Sequence, residues 1–387
     1  MSSSDGSISS SPSGSTNTRL TNILSHLTSK KPRVVVCRDM GPDVMPLLRE
    51  RRDIELVEWG KDNEAPPRDW VLQNVRGAAG VLIVFSEKVD AEFLEAAGPS
   101  LKVVSTMSVG YEHVQVSELA KHNVKLGYTP DVLTDAVADI CVMLALMATR
   151  NAAESMWLVK QGKWPVWSPF VMCGPQTGTV RSPLSTLQRP SKTVGFLGFG
   201  RIAQATLARM IPFGVTDCIY TSNPESSSSQ NKYAARDAEL LKTHSPTLRS
   251  LKSVPLPVLA GQSDILFILA PGGSKTYHLI NEEFLRQMKP TSVLVNGARG
   301  TLIDSDALAK ALREKWIWGA GLDVIEGEPD VKEDHVLNKE PRCAILSHIG
   351  SATFETRIQM ATLAVKNVLA GVFGEEMPAE LNVRANA

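Results

Sequence analysis

Short runs of apolar and β-branched residues recur along the chain between stretches of helical character. RVVVC (33–37), IELVEW (54–59), GVLIVF (80–85) and LKVVST (101–106) make a first set. TVGFLG (193–198), DCIYTS (217–222), DILFIL (264–269), TSVLVN (291–296), GAGLDV (319–324) and CAILS (343–347) make a second. Runs this short and this uniformly apolar read as strands buried on both faces. Their alternation with helices predicts βαβ units and parallel sheets. The stretch from Thr134 to Arg150 is apolar nearly all round, with Thr134 before Asp135 as its cap. It predicts a long buried helix at a domain or subunit boundary. The pattern as a whole predicts an α/β protein with two doubly wound parallel-sheet domains, the second larger.

Three segments break the pattern. The first 29 residues are rich in Ser, Thr and Gly and almost free of apolar side chains until Leu20, a composition that predicts a disordered tail. CGPQTGTVRSPLSTLQRPSK (173–192) and NPESSSSQNKYAARD (223–237) read as surface insertions. Of the 387 residues, 41 are Lys or Arg and 41 Asp or Glu, a balance that argues against a nucleic-acid partner. Five scattered cysteines form no C-x-x-C and no metal-ligand spacing, so no structural metal is expected. They predict a reduced, cytoplasmic protein; the tail, with its single arginine Arg19, keeps mitochondrial import as the alternative. The apolar stretches 140–148 and 265–270 fall far short of the ~20 residues of a membrane span, so no membrane partner is expected.

The chemistry concentrates at strand ends. TVGFLGFGRIAQATLARM sets Gly198, Gly200 and Ala203 at G-x-G-x-x-A spacing, after an apolar strand and before an amphipathic helix. A lone motif of this kind is weak, but in this context Gly198 permits a tight turn and Gly200 lets backbone approach a pyrophosphate. The next strand, DCIYTSNPE, ends on Thr221, Ser222 and Asn223 with no carboxylate to hold a ribose. That removes the usual barrier to a 2′-phosphate. Ser222 and Asn223 can donate to phosphate oxygens and Arg201 adds charge, which predicts NADP with NAD as the alternative. Lys232 and Arg236 are further cations, each read as part of a solvated helix face. Arg299, in NGARGTLID, stands between Ala298 and Gly300 at another strand end, where a guanidinium can grip a carboxylate by two parallel bonds. GLDVIEGEP supplies Asp323 and Glu328, and AILSHIGSATFETR supplies His348. Each residue taken singly is ordinarily solvated or packed. Together they lie beyond the carboxyl ends of strands, the edge at which doubly wound sheets bind ligands.

These residues resemble a known family. STMSVGYEHV (105–114), GYTPDVLTDAVAD (127–139), GFLGFGRIAQA (195–205), NGARGTLID (296–304), GLDVIEGEP (321–329) and HIGSATFETR (348–357) are similar to the motifs of D-isomer-specific 2-hydroxyacid dehydrogenases, nearest to glyoxylate/hydroxypyruvate reductases. The resemblance runs from about Lys31 to Asn382. It implies a larger Rossmann domain over 131–349 and a smaller flavodoxin-like substrate domain built from 30–130 and 350–387. It implies that Arg299 binds the substrate carboxylate with the Val109 and Gly110 amides, that His348 donates the proton and that Glu328 pairs with it. Asp323 would face the nicotinamide carboxamide. Pro271, Ile202, Ala298 and Gly350 would complete the cofactor site, and Trp167 would reach the partner's active site in a homodimer. Two positions depart from the family pattern: Ser347 replaces a usual proline, and Asn223 stands where NADP-preferring relatives often carry arginine.

The expected reaction is hydride transfer from NAD(P)H to a small 2-keto acid such as glyoxylate or hydroxypyruvate, giving the D-2-hydroxy acid. A carboxylate beside a histidine favours the imidazolium that protonates the nascent alkoxide. A nucleotide-sensing corepressor on the same fold, or a dehydrogenase for a different D-2-hydroxy acid, is the alternative. Phe85 and Ser86 are candidate pocket residues.

Overall fold

The computed structural model describes residues 31–61, 64–178, 192–222 and 233–385. The serine-rich tail, Asn223, Lys232 and most of both insertions lie outside the described residues. The chain divides into two compact units, the smaller containing residues up to 106, 115–127 and 365 onward, the larger 107–114 and 128–364. Three stretches, 107–114, 128–130 and 350–364, fall in the larger unit rather than the smaller one expected from sequence. Residues 107–114 join the larger unit because Gly110 lies against Arg299. Residues 350–364 join it because Gly350 is tied to Asp323.

The smaller unit holds strands β1 (Arg33–Val36), β2 (Glu55–Glu58), β3 (Ala78–Ile83), β4 (Val103–Thr106) and β5 (Lys125–Gly127). With β13 (Glu380–Leu381) they form one sheet in the order β13-β5-β4-β3-β1-β2, parallel except for the antiparallel β13. Every residue of β3 is buried, whereas β2 at the sheet edge is not, which corrects the reading of IELVEW as a doubly buried strand. An edge strand has one neighbour and meets solvent, so its glutamates are tolerated. The C-terminal part of the helix Phe354–Phe373 lies close on this sheet: a Cβ on Gly80 would stand 2.5 Å from Val372.

The larger unit holds a seven-stranded, wholly parallel sheet. Its strands are β6 (Lys192–Leu197), β7 (Val215–Thr221), β8 (Ser250–Ser253), β9 (Ile265–Ile268), β10 (Val293–Asn296), β11 (Gly319–Leu322) and β12 (Cys343–Ile345). The order is β12-β11-β10-β9-β6-β7-β8, so the direction of winding reverses between β6 and β9. A crevice opens at such a reversal, at the carboxyl ends of the strands. The sheet is buried on both faces: Leu266 and Ile268 enter one core, Ile265 and Phe267 the other. The polar edge strand β8 carries no apolar run, and the sequence pattern passed over it, as it did over β5 and β13.

The long helix forms over Thr134–Thr149 and buries Cys141, Leu144, Ala145 and Ala148. Its contact with the sheet explains the small residues of GAGLDV. A Cβ on Gly321 would stand 2.8 Å from the Leu144 carbonyl, and one on Gly297 would stand 2.7 Å from the Cys141 sulfur. The helix is not apolar all round, however. Asp135, Asp139 and Met143 form an exposed stripe, and the two aspartates pair with Arg209. Among the described residues no single helix is long and apolar enough to cross a membrane. Because the Gly321 contact is with backbone, Gly321→Val should destabilise the larger unit by about 1–3 kcal/mol. Denaturant unfolding measures this, and an unchanged midpoint would contradict the close helix–sheet contact.

Candidate active site

The nucleotide turn follows β6. Gly198 takes φ +84, and its N–H donates to the Thr221 carbonyl at 2.8 Å, joining the ends of β6 and β7. A Cβ there would meet Ala270 N and Leu269 O at 2.7 Å, so both conformation and space demand glycine. Gly200 is the N-cap of the helix Arg201–Met210; no described side chain caps it, and open space surrounds its Cβ position. A helix N-terminus exposed in this way suits a pyrophosphate. Ala203 is fully buried and Ile202 packs against the same core.

The cations near this turn are not arranged as the sequence suggested. Arg201 is engaged, with Nε 2.5 Å from Asp131 Oδ1, while Ser222 is exposed at the end of β7. Arg236 is not part of a solvated face. Its Nη1 donates to the Phe199 carbonyl of the turn at 3.1 Å, and its guanidinium carbon lies 4.5–5.1 Å from the ring centroids of Phe199, Tyr220 and Tyr233. Its other side donates to Asp237, whose second oxygen accepts from Tyr220 Oη at 2.6 Å. Aromatic packing and the buried Asp237 hold this cation at the turn. This seat could not be read from sequence, because the rings come from three separate segments.

Beyond β10, the fully buried Asn296 shapes the turn that presents Arg299. Its Oδ1 accepts from Ala298 N at 3.0 Å, and its Nδ2 donates to the Arg299 carbonyl at 2.9 Å. Sequence reasoning missed Asn296, although an asparagine that bonds the backbone two residues on is a recognisable turn former. Arg299 Nη1 donates to the Ala298 carbonyl at 2.7 Å, and Glu112 stands 3.2 Å from Nε. Gly110 lies directly under the guanidinium: a Cβ there would fall 1.6 Å from Nη2. Val109 and Gly110 are half-buried, and Ser108 Oγ donates to the Gly110 carbonyl at 2.7 Å. Burial pushes the neighbouring His113 imidazole down to about 4, Glu112 opposing and Arg299 adding to the shift. His113 is therefore neutral near pH 7.

The loops after β11 and β12 bring the acid–histidine pair together. Gly300 allows the Arg299 turn to touch the next loop, since a Cβ would stand 2.1 Å from the Ile325 carbonyl carbon. The two acids of that loop take different partners. Glu326 faces His278 Nε2 at 3.0 Å, and Glu328 Oε1 lies 3.2 Å from His348 Nδ1. His348 adopts φ +54, a left-handed conformation uncommon for a non-glycine residue. Its N–H donates to the Asp323 carbonyl at 2.9 Å, while Ile349 and Gly350 donate to the two Asp323 carboxylate oxygens at 2.9 and 2.8 Å. Burial pushes the Asp323 carboxyl above its ordinary value, the two amides and the nearby His348 pulling it back. The Asp323 carboxylate fastens the loop that carries His348. These three bonds tie the loop that follows Ser347 to the end of β11.

Pro271 is exposed after β9, its carbonyl accepting from Thr276 Oγ1 at 2.9 Å. Trp167 is 81 % exposed, in a segment where Trp164, Val166 and Phe170 are also exposed. In the smaller unit Ser86 accepts from Arg38 at 2.9 Å and donates to Glu87 at 2.6 Å, and Phe85 is half exposed.

A parallel sheet wound in this order, with a glycine turn at its reversal and an arginine and an acid–histidine pair beyond neighbouring strands, defines a nucleotide-binding dehydrogenase fold. A family model for the D-isomer specific 2-hydroxyacid dehydrogenase NAD binding domain matches residues 142–350. The human glyoxylate reductase/hydroxypyruvate reductase is 38% identical over 91% of this chain and 98% of its own length. The glyoxylate reductase of Thermofilum pendens is 38% identical over 91% and 95%. Among solved structures, the NADPH-dependent glyoxylate/hydroxypyruvate reductase of Sinorhizobium meliloti, in complex with NADP and malonate, superposes with a TM-score of 0.68 at 30% identity, covering 92% of this chain and 98% of that one. The chain belongs to the D-isomer specific 2-hydroxyacid dehydrogenase family of oxidoreductases.

The Asp323 fastening has its own test. Asp323→Asn puts an amide group against a backbone N–H and removes the charge from both bonds, at a cost of about 1–3 kcal/mol. Amide exchange at Ile349 and Gly350 should accelerate more than exchange in the sheet core; equal protection in both proteins would contradict the role.

Proposed function

We propose that the protein is a homodimeric reductase of glyoxylate and hydroxypyruvate that prefers NADPH. The observation that carries this reading is the His348–Glu328 pair at 3.2 Å, set beyond β12 beside the Arg299 turn. The names of the human and Sinorhizobium meliloti relatives support the substrate class.

The bound cofactor would supply the hydride to the keto carbon; Gly198, Gly200 and the amides of the helix start at Arg201 would hold its phosphates. Arg299 fixes the substrate carboxylate with the Val109 and Gly110 amides and turns the keto carbon toward the nucleotide turn. Glu328 takes His348 Nδ1, which leaves Nε2 as the nitrogen that protonates the nascent alkoxide. The neutral His113 has no such proton to give. Arg236 bears on the choice of cofactor. Beside the exposed Arg201–Asp131 pair, Arg236 is a further cation seated against the glycine turn among the described residues, where it can meet a 2′-phosphate by exchanging its bond to the Phe199 carbonyl. The homodimer reading is supported by Met156, Trp157, Trp164, Val166, Trp167 and Phe170, large apolar side chains exposed within one short stretch of chain, as at interaction surfaces. Trp167 would then reach the partner's site.

Spectrophotometric assay of NADPH and NADH against a panel of 2-keto acids tests the reading. His348→Ala should lower kcat by about 10²–10⁴-fold with NADPH binding unchanged; wild-type turnover would refute the assignment. Arg236→Gln should lower the NADPH-to-NADH ratio of kcat/KM by about 10-fold, the loss of one charged hydrogen bond. An unchanged ratio would remove Arg236 from cofactor choice. Light scattering at micromolar concentration should give a dimer, and a monomer would end both the dimer and the Trp167 proposals.

A further inference from the structure

The Arg299 guanidinium already grips a carboxylate. Its Nε lies 3.2 Å from Glu112 Oε1, and its Nη2 donates to Glu112 Oε2 at 3.2 Å. One hydrogen bond, from Nη2, and the ion pair at Nε hold the two groups together on the edge of the guanidinium that can offer two donors to a carboxylate. The remaining nitrogen, Nη1, is turned to the Ala298 carbonyl. The pocket around the Glu112 carboxylate is made of backbone. A Cβ on Gly110 would fall 2.5 Å from Glu112 Oε2, and a Cβ on Gly272 would fall 3.5 Å from Oε1. The acid therefore sits between two glycines, against the Arg299 fork and beside the Gly110 amide assigned to the substrate carboxylate.

We infer that Glu112 is a positioning residue that stands in for the substrate carboxylate: it holds Arg299 in its gripping orientation and hands the fork over when a 2-keto acid binds. This rests on the reading of Arg299 as the carboxylate-binding residue. The exchange is cheap because Glu112 is 41% and Arg299 32% exposed, and ion pairs this exposed are weak. It also replaces one carboxylate by another, so the guanidinium keeps a partner throughout, and the displaced Glu112 carboxylate, 41% exposed, is left to solvent. On release of the hydroxy acid, the return of Glu112 to the fork competes with rebinding of product. Glu112 thus sets how tightly a small monocarboxylate is held, trading affinity for release. Neither residue predicts the other in sequence, since 187 positions separate them.

The test is a cycle of Glu112→Gln, Arg299→Ala and the double variant, read by KM and kcat for glyoxylate with NADPH and by Kd for the unreactive analogue oxamate. On the intact Arg299, Glu112→Gln should lower KM and the oxamate Kd by about 2–5-fold, the strength of an exposed pair, without raising kcat. In the Arg299→Ala background the same substitution should change neither constant. Glu112→Asp keeps the charge but falls one methylene short of the fork, and should give the same direction of change with a smaller size; it serves if the glutamine variant does not fold. An unchanged or higher KM in Glu112→Gln, or an equal effect with and without Arg299, overturns the inference. If Arg299→Ala itself leaves KM and the oxamate Kd untouched, the assignment of Arg299 fails instead, and the two failures are told apart.

Discussion

The Asp323 carboxylate is the contact on which the placement of His348 depends. It lies one residue past β11, is 3% exposed, and accepts from two successive amides of the loop after β12. Those amides belong to Ile349 and Gly350, so the residue before them is fixed as well, and His348 is held in a backbone conformation that ordinarily costs of order 1–3 kcal/mol. Gly350 is required for the approach, since a Cβ there would stand 2.7 Å from Asp323 Oδ2. A buried carboxylate of this kind is itself costly. Its cost is offset by the two amide bonds and by nearby positive charge, including Arg357, whose own guanidinium is drawn below its ordinary value by burial.

Close backbone approach is the second recurring device. Gly198 lets the nucleotide turn touch the end of β9, Gly300 joins the Arg299 turn to the loop of Glu326 and Glu328, and Gly110 lies beneath the guanidinium. At each place the glycine shortens the distance between two chain segments that carry different functional groups. The glycines of GAGLDV do the same for the long helix, which lies on β10 and β11 and so fixes the strands whose ends carry the site.

Much of this was legible in the sequence, for a physical reason. Strands buried on both faces must be short and uniformly apolar, so β1, β3, β4, β6, β7 and β9 to β12 announce themselves, and functional groups at their ends are displayed against small neighbours. What was not legible depends on contacts distant in sequence or on solvent-facing edges. The polar strand β8 looks like a loop by composition, and the edge strand β2 was read as a strand but with the burial of a central one. The partner of Arg299 lies on a segment from the other end of the chain, and the aromatic seat of Arg236 is assembled from three segments. Asp323 was singled out, but its hold on the loop of His348 was not, because a carboxylate at a strand end carries no local sign of which backbone amides reach its oxygens.

The central claim is that Glu328 acts through His348, holding Nδ1 so that Nε2 can protonate the product. A double-mutant cycle on kcat for glyoxylate reduction, with Glu328→Gln, His348→Ala and both together, tests it directly. Two residues that work as one unit are non-additive. The account predicts that Glu328→Gln lowers kcat when His348 is present and changes nothing once His348 is alanine. Losses that simply multiply in the double variant would show that Glu328 and His348 act separately, and would contradict the account.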